Sequence, residues 1–132
     1  DIPHSDIMKK ISKSVCTFVG LHPLESFTIT SLESLSRGVP LIVKGHKNLG
    51  THPAYEMVEP EFHKYIHMYK DKNDFINKIT EYSKCTIHER KALADNCFKV
   101  TSKQAYASKL ELVLENAIKK YTDINKDMFT FF

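Results

Sequence analysis

Glu25 and Glu33 stand eight positions apart in a segment whose residue types suit the binding of a phosphorylated ligand. The pattern predicts a helix from about Phe27 to Arg37. The first backbone N–H groups of a helix are unpaired and favour an anion, so Ser26 to Thr28 would offer donors to a phosphate. Glu25 would precede this helix, and Glu33 would lie about two turns along it, facing nearly the same side.

Short apolar runs flank this segment and would position it. Cys16 to Val19 precedes it and Pro40 to Lys44 follows it, and neither run alternates with polar residues, which is typical of strands covered on both faces. Gly38 is expected to end the intervening helix. Because an open parallel sheet binds ligands beyond the carboxyl ends of its strands, the two glutamates would lie at such an edge.

The rest of the sequence predicts one further strand and four further helices. Two of the helix starts carry strong local signals, Asp71 or Asn73 for one and the pair Thr86 and Glu89, a capping-box pattern, for the next. The predicted elements are a helix over 5–14 capped by Ser5, an edge strand over 65–69, and helices over 71–84, 86–100 and 101–121. The alternation predicts an α/β fold. Two or three strands are too few for an independent Rossmann half, and roughly three more strands are expected upstream, because the classic sheet has six.

The frame of residues around the two glutamates resembles the donor-sugar signature of retaining GT-B glycosyltransferases. That signature has an acid, seven residues and a second acid, and the chain matches it with Glu25, Phe27, Glu33, Gly38 and Pro40 in frame. The segments upstream and downstream also resemble the family, so the likeness covers nearly the whole chain. It extends only to the last part of a family member. The resemblance implies a partial Rossmann-like parallel sheet flanked by helices and followed by C-terminal helices.

The resemblance also implies roles for individual residues. The implied reaction transfers a sugar from a nucleotide-diphosphate sugar to an acceptor, with retention at the anomeric carbon. Glu25 would be the catalytic residue, beside the sugar, and Glu33 would accept the ribose hydroxyls of the nucleotide. The remaining donor-binding residues would be His22, Ser26, Phe27, Thr28 and Ile29. No metal and no cofactor beyond the donor substrate is expected.

Two features depart from the family pattern. Ser26 and Thr28 stand where the family usually has glycine, which narrows the expected pocket. The basic pair that the family places upstream to hold the diphosphate is absent, so the chain alone is expected to be inactive. We therefore expect residues 1–121 to be the donor-binding part of an enzyme whose N-terminal acceptor domain is its partner. The apolar tail over 122–132 is expected to dock on a partner domain.

Composition places the chain in an ordinary globular class. Hydrophobic residues make up 42% and charged residues 27% of its 132 residues, and the net charge is only +3. Three cysteines are an odd number at no metal-ligand spacing, which favours reduced thiols in the cytoplasm. The seven histidines form no ligand pair on a predicted helix. No apolar run is long enough for a transmembrane helix.

Two other functions fit the same residues. A binding or regulatory module with a degenerate donor site would keep the fold without turnover. A nucleotide-sugar epimerase would also use two acids near a diphosphate. The acceptor is left open among sugar, lipid, protein, small molecule and nucleic-acid base, and a phage origin would favour a modified DNA base.

Overall fold

The computed structural model describes residues 1–20, 29–44 and 52–130, with the side chains of 125–130 left out, and shows a mixed α/β protein. The chain forms two compact units, residues 1–100 and 101–132. The described residues include the strands β1 (Thr17–Val19), β2 (Leu41–Val43) and β3 (Ile66–Met68). The α-helices within the described ranges are α1 (His4–Ser12), α2 (Ile29–Leu35), α3 (Lys72–Tyr82), α4 (Ile87–Thr101) and α5 (Lys103–Thr130).

The strands form one parallel sheet in the order β1-β2-β3. All three residues of the central strand β2 are fully buried, which explains its uninterrupted apolar sequence. The register aligns Phe18 with Ile42 and Ile42 with His67, so these three residues share one face of the sheet. Among the described strands β1 is an edge, and Phe18 on it is 51% exposed. The predicted strands and their parallel arrangement are therefore confirmed.

Gly38 ends α2 as the sequence predicts. Its φ of +70° is a left-handed conformation that glycine adopts without steric cost. The N–H of Gly38 donates to the carbonyl of Leu35 at 2.9 Å, and the N–H of Val39 donates to that of Ser34 at 3.0 Å. These paired bonds form a Schellman motif, which satisfies the last carbonyls of the helix and turns the chain directly into β2.

The local capping signals of the next two helices are also confirmed. Asp71 caps α3, because its carboxylate accepts the N–H of Asp74 at 2.9 Å. At α4 the Thr86 hydroxyl accepts the N–H of Glu89 at 3.2 Å, and the Glu89 carboxylate accepts the N–H of Thr86 at 2.7 Å. This reciprocal pair is the capping box predicted from the sequence.

Three features of the structure differ from the sequence prediction. Ser5 does not cap α1, which begins one residue earlier, after Pro3, with no side-chain cap. The sequence analysis predicts no regular element between β2 and β3, but the structure has two 3₁₀ helices there, Pro53–Met57 and Pro60–Tyr65, each begun by a proline. The last helix runs to Thr130 rather than ending near residue 121.

His52 caps the first 3₁₀ helix from a buried position. Its Nδ1 accepts the N–H of Ala54 at 3.1 Å, so the ring proton of the neutral form lies on Nε2. No residue of the described part of the chain accepts a hydrogen bond from Nε2, and the side chain is only 1% exposed. Burial lowers the pKa of the His52 imidazole, because a charged ring would lose its hydration without gaining a partner.

His52 should therefore make the protein less stable in mild acid. The unfolded chain takes up a proton below the ordinary histidine pKa of 6.5, whereas the folded chain resists protonation until its lowered pKa is reached. The free energy of unfolding should fall over that window by at most about 1.4 kcal/mol per pH unit. His52→Asn retains an acceptor for the Ala54 N–H and removes the titration, so it should flatten this dependence.

Urea unfolding at a series of pH values between 7 and 5 checks this expectation. The exposed His88 provides a matched control, because His88→Asn removes a histidine that is not buried. An unchanged slope in His52→Asn, or an equal flattening in His88→Asn, would contradict the assignment.

Within the described residues, no helix combines the length and apolar character required to span a bilayer.

Candidate functional site

Helix α2 turns one face inward and the opposite face outward. Its buried residues Ser31, Ser34 and Leu35 follow helical spacing and define the inner face. The Ser34 hydroxyl donates to the Thr17 hydroxyl on β1 at 3.0 Å, which fixes the rotation of the helix on the sheet. Residues 29 and 33 lie on the opposite face, and Ile29 is 66% exposed.

The structure therefore locates two of the predicted site residues, Ile29 and Glu33, four positions apart on the outer face of α2. Helix α2 connects β1 to the adjacent parallel strand β2. It therefore begins near the edge of the sheet formed by the carboxyl ends of the strands. The other predicted site residues lie outside the described residues. They are His22, Glu25, Ser26, Phe27 and Thr28.

Glu33 has a partner that the sequence did not predict. Its Oε1 lies 2.7 Å from Nε2 of His4, at the start of α1. The Glu33 side chain is 23% exposed and the His4 side chain 73%, so the pair is reachable by solvent and by a ligand. The Glu33 backbone carbonyl accepts a hydrogen bond from Nη1 of Arg37 at 3.0 Å. The contact with His4 orients the Glu33 carboxylate. No local sequence pattern identifies His4 as the partner of Glu33.

Arg90 ties α4 to the end of α1 and to the turn after α2. Its Nε donates to the carbonyl of Gly38 at 3.0 Å, and its Nη2 donates to the carbonyls of Ser12 and Ser14, both at 3.1 Å. The five donors of a guanidinium suit such a cluster of carbonyl acceptors. Arg90 thus fixes the segment before β1 and the turn after α2 relative to α4.

A second polar group lies at the carboxyl end of β3. His67 Nε2 lies 2.8 Å from Oδ2 of Asp74, and the same oxygen accepts the N–H of Lys70 at 2.9 Å. The hydrogen bond to His67, reinforced by that from Lys70, lowers the pKa of the Asp74 carboxyl. Since the strands are parallel, Asp74 lies at the same edge of the sheet as the start of α2. The sequence analysis did not identify Asp74 as a site residue.

Three aromatic rings cover the sheet beside this acid. Phe18 on β1, Tyr69 after β3 and Phe75 on α3 meet pairwise edge-to-face, with ring centroids 5.3 to 5.9 Å apart. Such contacts add stability beyond the area that they bury. They anchor the first turn of α3, and with it Asp74, against the sheet.

A cavity of about 220 Å³ lies away from α2. It is lined by the end of the second 3₁₀ helix and the junction of α3 with α4, including Tyr65, Tyr82 and Cys85. Burial raises the pKa of the Cys85 thiol, which makes it a weak nucleophile at neutral pH. Neither of the predicted site residues that the structure describes, Ile29 and Glu33, lines this cavity.

Comparisons with protein-family models, with curated proteins and with solved structures found no match. Among the side chains that the structure describes, in residues 1–20, 29–44 and 52–124, no group of three or more His, Cys, Asp or Glu is placed to hold a metal ion.

Proposed function

We propose that this chain forms the nucleotide-sugar site of a retaining glycosyltransferase with a GT-B, Rossmann-like donor domain. The observation that carries the proposal is the position of Glu33. It lies on the outer face of the helix that joins two adjacent parallel strands, with its side chain partly exposed. A ligand at the carboxyl edge of a parallel sheet meets the start of the crossover helix, which lies about one turn before Glu33.

The contact with His4 is compatible with a second partner for Glu33. A carboxylate has two oxygens and about four lone-pair sites, so it can accept from His4 through Oε1 and from ribose hydroxyls at its remaining sites. Hydrogen bonds to a charged acceptor are roughly twice as strong as neutral ones. Glu33 would then recognise the ribose rather than the base, which leaves the identity of the base to other residues.

The chemistry would be centred at Glu25. The bond between the anomeric carbon and the diphosphate oxygen breaks, the acceptor oxygen bonds to the same face of that carbon, and the acceptor proton passes to the diphosphate. Glu25 would hydrogen-bond the sugar hydroxyls and stabilise the electron-poor anomeric centre. The N–H groups of Ser26 to Thr28 would receive the charge of the leaving diphosphate. The N-terminal acceptor domain of the same enzyme would bind the acceptor.

The competing function is a donor-binding module without turnover. Ser26 and Thr28 favour it, because side chains in place of glycine reduce the space around the sugar and diphosphate. Both functions require nucleotide binding, and only the transferase requires sugar transfer by the complete enzyme. Binding of uridine diphosphate glucose without any transfer would therefore favour the module.

Replacing Glu33 tests the proposal. In the complete protein, Glu33→Gln should weaken the binding of uridine diphosphate by about 1–3 kcal/mol, because it removes a charge-assisted hydrogen bond. The 2′-deoxy nucleotide should bind more weakly than the ribonucleotide to the parent protein, and this difference should shrink in Glu33→Gln. Isothermal titration calorimetry measures all four affinities.

Glu56, an exposed acid on the first 3₁₀ helix, provides the control. Glu56→Gln should bind both the ribonucleotide and the 2′-deoxy nucleotide with the affinities of the parent protein. Equal discrimination against the 2′-deoxy nucleotide in the parent and Glu33→Gln proteins would remove Glu33 from the ribose site.

A further inference from the structure

The apolar side chains of α5 follow the spacing of a coiled coil. Alternating steps of three and four residues connect six positions along the helix, which is the heptad pattern of a and d sites. The positions are Ala107, Leu110, Leu114, Ala117, Tyr121 and Ile124. All six side chains are exposed, and the helix is 28 residues long, about 42 Å at 1.5 Å per residue.

We propose that this face of α5 binds the same face of a second copy of the chain, as an antiparallel two-helix coiled coil. In the antiparallel register centred between residues 115 and 116, each a site lies beside a d site of the other helix. The three distinct layers are then Leu114 with Ala117, Leu110 with Tyr121, and Ala107 with Ile124. Each alanine lies beside a large side chain, as close packing of a two-helix core requires.

A parallel pair packs less well. It would place Ala107 and Ala117 each beside its own copy, which leaves voids, and would place Tyr121 beside Tyr121, which crowds the core. Small and large side chains therefore complement each other only in the antiparallel register.

The flanking residues permit this register. Beside the core, Val113 would face Lys120, and Glu111 would face Ile118. No like charges oppose each other at these sites, and the lysine stem can cover the valine. The polar side of α5 mixes acids such as Glu115 with lysines such as Lys119, whereas a helix that binds anionic membranes is predominantly basic there.

The area available is sufficient for a stable dimer. The large apolar residues on or beside the stripe are Tyr106, Leu110, Val113, Leu114, Ile118, Tyr121 and Ile124, and each is more than half exposed. At roughly 100 Å² for each side chain, a pair of helices would cover about 1,400 Å², above the ~1,000 Å² expected of a specific interface.

The helix offers a matched pair of leucines for the test. Leu114 lies in the stripe and Leu112 on the opposite side, and they are 54% and 57% exposed. Leu114→Asp should weaken dimerisation by more than about a hundredfold, since the change occurs in both copies, and Leu112→Asp by less than about threefold. Sedimentation velocity over a range of chain concentrations measures both, and circular dichroism of each variant reports whether α5 is still helical.

The arrangement of the helices has its own measurement. When Leu110→Cys and Tyr121→Cys chains are mixed and oxidised, mass spectrometry should find the peptide containing residue 110 linked to that containing residue 121. Links between two copies of residue 110 would overturn the antiparallel arrangement. A parent chain that stays monomeric at all concentrations, that associates only with anionic vesicles, or that dimerises equally well as Leu114→Asp would overturn the proposal as a whole.

Discussion

Replacing Gly38 with alanine is expected to lower the free energy of unfolding by about 4 kcal/mol or more, a large fraction of the 5–15 kcal/mol typical of a domain. Two causes add. A Cβ atom on residue 38 would lie 2.0 Å from the carbonyl oxygen of Arg90 and 2.6 Å from its carbonyl carbon, both backbone atoms that cannot rotate away. The φ of +70° also costs an alanine about 1–2 kcal/mol. Urea denaturation followed by circular dichroism measures the loss.

Gly20 provides the control for this change. A Cβ on Gly20 would meet no atom within 4 Å, so Gly20→Ala should stay within about 0.5 kcal/mol of the parent. A second variant separates the two causes. Asparagine tolerates the left-handed conformation better than alanine but carries a Cβ, so Gly38→Asn should be nearly as damaging if the collision dominates. A mild Gly38→Ala variant would mean that α4 moves away from this turn at little cost.

The largest functional effect is expected at Glu25, on the proposed function. In the complete enzyme Glu25→Ala should lower kcat about a hundredfold or more and leave nucleotide affinity nearly unchanged. The reason is that Glu25 would interact with the sugar as its anomeric centre becomes electron-poor, an interaction stronger in the transition state than in the bound donor. Single-turnover sugar transfer and equilibrium binding of uridine diphosphate, measured side by side, check both parts.

Two comparison variants make this result specific. Glu56→Ala, at an exposed acid on the first 3₁₀ helix, should retain both transfer and binding. Thr28→Pro should damage both, because it removes a backbone N–H from the expected diphosphate site. Sugar transfer at the parent rate by Glu25→Ala would end the catalytic assignment and leave the resemblance at the level of the fold.

Features that depend on neighbours in sequence could be predicted from the sequence. The capping box of Thr86 and Glu89 joins residues three positions apart, so it can be recognised from the sequence without knowledge of the fold. The same holds for the Asp71 cap and for Gly38 at the end of α2. The parallel sheet followed from uninterrupted apolar runs that alternate with helical patterns.

Contacts between distant residues could not be predicted in this way. His4 meets Glu33 across 29 residues, and Arg90 reaches carbonyls 52 to 78 residues earlier. An exposed histidine or an arginine on a helix carries no sequence pattern that names such a partner. The 3₁₀ helices were missed for a related reason, because the same prolines that begin a 3₁₀ turn also favour an irregular loop.

The reach of Arg90 constrains the order in which the first unit can form. The carbonyls of Ser12, Ser14 and Gly38 are synthesised long before the guanidinium that binds them. At about 5–20 residues per second, the ribosome needs roughly 3–10 s to add the stretch from Gly38 to Arg90. During that interval these carbonyls can bond only to water or to transient partners. The turn after α2 can close through its own local hydrogen bonds, but its attachment to Arg90 forms late, when α4 emerges. Fixing the segments before β1 and after α2 is therefore coupled to a helix that contributes no strand to the sheet.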